Sequence, residues 1–198
     1  QPIRTDGIAR HVTEKAGTPT MGGFMILAGL FVGSLLFGDL KNVHVWVVLG
    51  ITAAFGVLGF MDDYAKVTKQ TTAGLSSGQK LVAQFIVSIL AAVVLIVFAP
   101  KSPSTAGLET SVVFPILKNL VINLGWFYVA FAAITIAGFS NAVNLTDGLD
   151  GLAIVPVMFA ASTFGLIAYL VGNYKFADYL NLHFAPGVGE LAVLCGAI

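Results

Sequence analysis

The sequence predicts an all-α fold, a polytopic bundle of transmembrane helices, and three observations carry that prediction. Hydrophobic residues make up 57% of the 198 residues and charged residues only 10%. Mean hydropathy is +0.91, far outside the range of a soluble globular domain. The apolar residues are gathered into runs, most of them near the ~20 residues that a helix needs to cross the ~30 Å hydrocarbon layer. Strands of a membrane barrel would be about ten residues long and would alternate apolar with polar. These runs are apolar on every face.

Taken in order, residues 1–20 are polar and end in Gly17-Thr-Pro-Thr-Met-Gly-Gly23. A first apolar run extends to about Gly38, a second covers about Asn42–Met61 and a third Leu81–Ala99. A fourth covers Asn119–Phe139 and a fifth Leu152–Val171, and a sixth begins near Glu190 and is still apolar at Ile198. The expectation is therefore five full spans and the start of a sixth, in a single membrane domain over 1–198. Gly29, Gly33, Gly56, Gly59 and Gly138 fit the close approach of packed membrane helices. The chain starts without Met and stops inside an apolar run, so it is expected to be a piece of a longer protein, with neither a signal peptide nor an initiator residue at its start.

Composition also excludes. A net charge of zero gives no basic surface for a nucleic acid. The single Cys195 builds neither a disulfide framework nor a zinc cluster, and His11, His44 and His183 lack ligand spacing. His44, Trp46 and Trp126 read as interfacial or packing residues.

If every span crosses once, segments 1–20, 62–80 and 140–151 share one side. That side holds Arg4, Arg10, Lys15, Lys66, Lys69 and Lys80, against Lys41, Lys101, Lys118 and Lys175 on the other. The excess of basic residues places the first set in the cytoplasm. Asp62, Asp63, Asp147 and Asp150 converge on that face.

Two stretches there carry candidate chemistry. In Asn141-Ala-Val-Asn-Leu-Thr-Asp-Gly-Leu-Asp-Gly151, polar residues recur every three positions, so Asn144, Asp147 and Asp150 can be neighbours on adjoining helical turns. Gly148 and Gly151 break the helix and admit a ligand to the backbone. The plain alternative is a connecting turn, but a turn needs neither acid. A calcium loop is excluded, because its carboxylates stand two apart. The Asn144-Leu-Thr146 sequon abuts a membrane span and is a poor glycosylation site.

The second stretch is Gly59-Phe-Met-Asp-Asp-Tyr-Ala-Lys66, at the end of the second span. Adjacent acids point about 100° apart on a helix, so one of Asp62 and Asp63 would face the site while the other binds a metal or acts behind it. The plain alternative is a polar cap. Clustered carboxylates repel unless a cation neutralises them, and magnesium is the natural candidate, held by one or two carboxylates and substrate phosphates. Lysines suit phosphate as point charges. Thr20 and the following glycines make a helix start that can receive an anion. Together these features point to a magnesium-dependent reaction on phosphate groups at a membrane surface.

Pro19-Thr-Met-Gly-Gly23, the Asp62-Asp63 doublet and the thirteen residues Asn141–Ala153 closely resemble the bacterial phospho-N-acetylmuramoyl-pentapeptide transferase family, across essentially the whole chain and in order. The resemblance implies transfer of phospho-MurNAc-pentapeptide from UDP-MurNAc-pentapeptide to undecaprenyl phosphate, giving lipid I and UMP with Mg²⁺ in peptidoglycan synthesis. It implies a bacterial cytoplasmic-membrane protein of ten helices, commonly a homodimer, with its site on the cytoplasmic face. Residue by residue it implies Asp62, Asp63 and Asp147 at the catalytic centre, Asp62 a candidate base on the lipid phosphate, with Asp62 and Asp63 near the metal. Asp147, Asn144 and Thr20 would line the sugar-phosphate region, and Lys15, Gly148, Leu149 and Asp150 would surround uracil. Lys66, Lys69 and Lys80 would attract phosphates or the pentapeptide. A first helix, a later metal-binding Asp and a histidine triplet belong to the family's pattern and have no counterpart in this sequence; the resemblance implies that the Asp, the main metal ligand, and the triplet come beyond Ile198. Related transferases of sugar 1-phosphates onto polyprenyl phosphate share the acidic loops and are the alternative. An ion-coupled transporter would place its acids near the bilayer midplane in broken helices, whereas these sit at span ends.

Overall fold

The computed structural model describes residues 22–69, 74–101, 103, 106–114, 120–146 and 152–198. Its helices are α1 (Gly23–Phe37), α2 (Val43–Lys69), α3 (Ser77–Phe98), α4 (Phe127–Thr146), α5 (Ile154–Gly172), α6 (Tyr174–Tyr179) and α7 (Leu191–Gly196), the last preceded by a 3₁₀ turn, Val188–Glu190. Strands β1 (Ser111–Val113) and β2 (Val121–Asn123) stand between α3 and α4.

Among the described residues, α2, α3, α4 and α5 are long and apolar enough to cross a membrane. The first expected span is a helix of 15 residues, about 22 Å at 1.5 Å per residue, and falls short of a full crossing. The run expected to begin a sixth span forms a six-residue helix after the 3₁₀ turn. That helix ends at Gly196, and Ala197 and Ile198 lie past it.

Four boundaries differ from the hydropathy reading by four residues or more, three of them for a local reason. The second span was expected to end at Met61, but α2 runs on to Lys69. Nothing from Asp62 to Lys69 breaks a helix, the pairs Asp62–Lys66 and Asp63–Lys66 have helical spacing, and Lys66 and Lys69 suit the negative end of the helix dipole. Helix α3 starts four residues before Leu81, at a capping box: Gln79 N–H donates to Ser76 Oγ (3.2 Å) and Ser76 N–H to Gln79 Oε1 (3.3 Å). The fourth span starts at Phe127 rather than Asn119, because Val121–Asn123 pair antiparallel with Ser111–Val113 in the register Val112 to Ile122. Asn123 Oδ1 then accepts from Gly125 N–H (2.8 Å) and Thr110 Oγ1 (2.9 Å), and Gly125 turns the chain at φ +51°. At its other end α4 runs past Phe139 to Thr146, so Asn141 and Asn144 are helical.

Helix α3 packs between α2 and α4, while α2 also meets α1 and α7, and α5 packs on α7 and the 3₁₀ turn. The buried core, Leu30, Val45, Leu49 and Leu194, ties α1, α2 and α7 together near the start of α2. Large side chains on the outer faces, such as Val57, Phe139 and Phe164, are exposed, as lipid-facing residues must be. The other end of α2, with the start of α3 and the end of α4, is polar, and the candidate site lies there.

Candidate functional site

Asp62 is the centre of that polar end. Expected at the end of the second span, it lies instead within α2, nearly two turns before the helix ends, and is only 5% exposed. Its Oδ2 accepts from Lys66 Nζ at 2.6 Å and Lys80 Nζ at 2.8 Å, and its Oδ1 accepts from Leu75 N–H at 2.7 Å. Lys66 comes from one turn further along α2, and Lys80 from the first turn of α3. The chain reaches Asp62 because residue 74 is glycine: a Cβ there would collide with Asp62 Oδ1 and come within 2.9 Å of Lys66 Cε.

Asp63 points elsewhere, as the 100° step predicts. Its side chain is 41% exposed and meets Lys66 Nζ at 3.3 Å. Lys69 lies exposed in the last turn of α2.

Beside the cluster, a cleft of about 320 Å³ opens between α2, α3 and α4, lined by Gly59, Lys80, Gln84, Ser140, Asn141 and Asn144 among others. Asn141 Nδ2 donates to Gln84 Oε1 (2.6 Å) and to Ala137 O (2.7 Å), so the amide pair joins α4 to α3. The structure thus brings together Asp62, Asp63, Lys66, Lys80 and, across the cleft, Asn144. Lys15, Thr20, Asp147, Gly148, Leu149 and Asp150 lie outside the described residues.

Sequence reading missed Gln84, Gly74 and Leu75. Gln84 carried a usable signal: an amide inside an otherwise apolar span demands a partner. The Leu75 N–H carried none, since a backbone donor is invisible in side-chain chemistry.

A larger cavity of about 560 Å³ lies at the opposite end, among α3, α4 and the hairpin, and is mostly apolar. His44, His183, Lys101 and Glu109 are in its wall, the last two paired at 3.4 Å. It holds none of the candidate acids of the polar end.

For a magnesium ion the described residues do not fit on their own. No group of three His, Cys, Asp or Glu side chains comes together among them. Asp62, expected near the metal, has both oxygens engaged, one of them by two ammonium groups that would repel a divalent cation, which leaves Asp63, engaged among the described residues by Lys66 on Oδ1, as the more open carboxylate of the two. The main ligand that the resemblance implies beyond Ile198 falls outside the described residues.

The fold and the site define a helical membrane protein that gathers acid, lysine and amide groups at one end of its bundle. The glycosyl transferase family 4 model matches residues 45–193, and the chain belongs to that family. Signature 1 of phospho-N-acetylmuramoyl-pentapeptide-transferase matches residues 15–27. The phospho-N-acetylmuramoyl-pentapeptide-transferase of Caulobacter sp. strain K31 is 92% identical over the whole chain, which covers 53% of that relative. The enzymes of the same name from Caulobacter vibrioides and Phenylobacterium zucineum are 88% and 61% identical, again over the whole chain and 54% of each relative. The resemblance read from the sequence therefore holds, and the chain spans about half the length of the curated relatives it matches.

Proposed function

We propose that this chain is part of an enzyme that transfers phospho-MurNAc-pentapeptide from UDP-MurNAc-pentapeptide to undecaprenyl phosphate, giving lipid I and UMP. The observation that carries the reading is the acid and lysine cluster beside an amide-lined cleft, in a chain 92% identical throughout to a relative of that name. An oxygen of the lipid phosphate attacks the phosphorus that bears the sugar. The bond from that phosphorus to the oxygen shared with UMP breaks, and UMP leaves with the electron pair. Little covalent chemistry is asked of the protein in such a step, which depends on positioning and charge.

In this reading Lys66, Lys69 and Lys80 meet phosphate charge. Asp63 and Asp147 face the reacting groups, and Thr20 and Asn144 line the sugar-phosphate region. Lys15, Gly148, Leu149 and Asp150 receive uracil. The site faces the cytoplasm from a bacterial inner membrane, and the whole protein is a homodimer. Magnesium dependence belongs to the same proposal, drawn from the resemblance, and no step is derived through the ion.

The test extends the chain past Ile198 and before Gln1 to its relatives' full length and follows UMP release from UDP-MurNAc-pentapeptide and undecaprenyl phosphate, with and without a chelator. Release that needs both substrates and stops on chelation is expected; no release with Mg²⁺ present sinks the proposal. Residues 1–198 alone are expected to give none. The described residues hold no complete metal set, and a Mg²⁺ ion wants near-octahedral oxygens fixed by neighbouring elements.

A further inference from the structure

Two lysines from different helices meet on a single carboxylate oxygen, and that arrangement decides what Asp62 can do. Lys66 Nζ and Lys80 Nζ both lie within 2.8 Å of Asp62 Oδ2. Their side chains are 18% and 35% exposed and that of Asp62 is 7%, so the carboxylate is shielded while the lysines, Lys80 above all, keep a partly solvated side. The other oxygen is taken by Leu75 N–H at 2.7 Å. To accept a proton, Asp62 would have to give up the Leu75 N–H on Oδ1 or an ammonium on Oδ2, and with it the charge that holds both lysines; to hold a divalent cation it would have to bring that charge beside them. Either role runs against the Coulomb energy of the cluster.

An ammonium has three donors. Among the described residues, Lys80 spends one on Asp62, and Lys66 spends one on Asp62 and one on Asp63. Two positive groups share one buried carboxylate, while Asp63, the other acid, is partly solvated and, among the described residues, pairs with Lys66. The remaining donors and the residual positive charge suit an anionic oxygen, and Lys80 also lines the amide cleft.

We propose that Asp62 is a positioning residue: it holds Lys66 and Lys80 side by side as a paired clamp for a substrate phosphate, and neither takes the proton nor binds the metal. The proposal rests on the transferase reading above. Gly74 is part of the device, because only a residue without Cβ lets the chain close over the carboxylate. The phosphate has two possible sources, the lipid headgroup and the nucleotide diphosphate.

The experiment measures kcat, and KM for each phosphate substrate, in chains extended to full length and carrying Asp62→Asn, Gly74→Ala, Lys80→Met or the Asp62→Asn/Lys80→Met pair. Asp62→Asn and Gly74→Ala should raise KM for one of the two substrates by about ten- to a hundredfold, the worth of a charge-assisted hydrogen bond, with kcat changing far less. That pattern marks lost binding shared by ground and transition states. The substrate whose KM moves is the one clamped. The pair should be no worse than Lys80→Met alone, since Asp62 acts through the lysine.

A fall in kcat of ~10²-fold or more in Asp62→Asn with KM unmoved would make Asp62 a proton-transfer or metal residue and overturn the proposal. Wild-type KM values in Gly74→Ala would overturn it too. If Asp62→Asn does not accumulate as a folded protein, Gly74→Ala and Lys80→Met carry the comparison. Loss of UMP release in the unmutated chain would instead strike the transferase reading.

Discussion

Gly172, the last residue of α5, touches the 3₁₀ turn backbone to backbone, and replacing it with alanine tests how the bundle is closed. A Cβ at Gly172 would meet the Gly189 amide nitrogen, lie 2.5 Å from Gly189 Cα and 3.2 Å from the Val188 carbonyl carbon. Ordinary contact starts at 3.4 Å, so the turn must retreat by at least ~0.9 Å, and no flexible side chain is available to give way. Overpacking of this kind costs about 1–3 kcal/mol. The retreat also strains two hydrogen bonds that tie the turn to the α1–α2 connection: Asn42 Nδ2 to Gly187 O at 2.6 Å and Asp39 N–H to Glu190 Oε2 at 3.1 Å. Each is worth about 1 kcal/mol, and the better helix propensity of alanine returns at most about 1 kcal/mol. A net loss of about 2–4 kcal/mol is expected, and thermal unfolding of the detergent-purified, extended chain should shift down by several degrees. Gly50→Ala in α2 is the control, since nothing lies within 4 Å of its Cβ position, and it should be neutral or slightly stabilising. If Gly172→Ala unfolds at the same temperature as the control, α5 does not meet the turn at this distance and the packing argument fails.

Two further substitutions address the site. Asp63→Asn should leave a folded, extractable protein, because its side chain is 41% exposed, yet cut UMP release by at least ~10²-fold, the lower range for a positioned acid or base; near-wild-type turnover would remove Asp63 from the chemistry. Asp150→Ala, at a position the family resemblance assigns to uracil, should raise KM for the UDP-sugar roughly ten- to a hundredfold through one lost charged hydrogen bond, and a change confined to the lipid substrate would contradict that assignment.

Hydropathy located the apolar segments well, because the bilayer imposes length and composition on any crossing helix. It located their ends poorly. Lipid solvation says nothing about residues 62–69, which continue α2 through side-chain pairs that a hydropathy window reads only as polar. Nor can it separate the apolar pair Val121-Ile122 from the helix that follows, since a short strand and a buried helical turn look alike over so few residues. The Ser76–Gln79 capping box was legible by its spacing and marks the start of α3. Hydropathy alone starts the segment four residues later, at Leu81, because Ser77, Gly78, Gln79 and Lys80 are not apolar.

The division between Asp62 and Asp63 was half legible, and the geometry of α2 explains which half. The 100° step guarantees that the two acids face different ways, but deciding which is buried requires knowing what packs where along the helix. Near its start α2 buries Val45 and Leu49 against α1 and α7. Asp62 lies thirteen positions beyond Leu49, about 220° further round at 100° per residue, off the face that Val45 and Leu49 bury and about 60° from Val47, which is buried as well. No single buried stripe runs its length, and a phase taken from Val45 and Leu49 would have turned Asp62 outward. What draws it inward is the return of the chain through Gly74 and Leu75 and the arrival of Lys80 on α3. A buried carboxylate needs partners to be tolerated, and here two of the three, Lys80 and the Leu75 N–H, come from beyond the helix that carries it. The acid is thus placed by its partners' chain path, which is why the doublet could be found in the sequence while the roles of its members had to come from the fold.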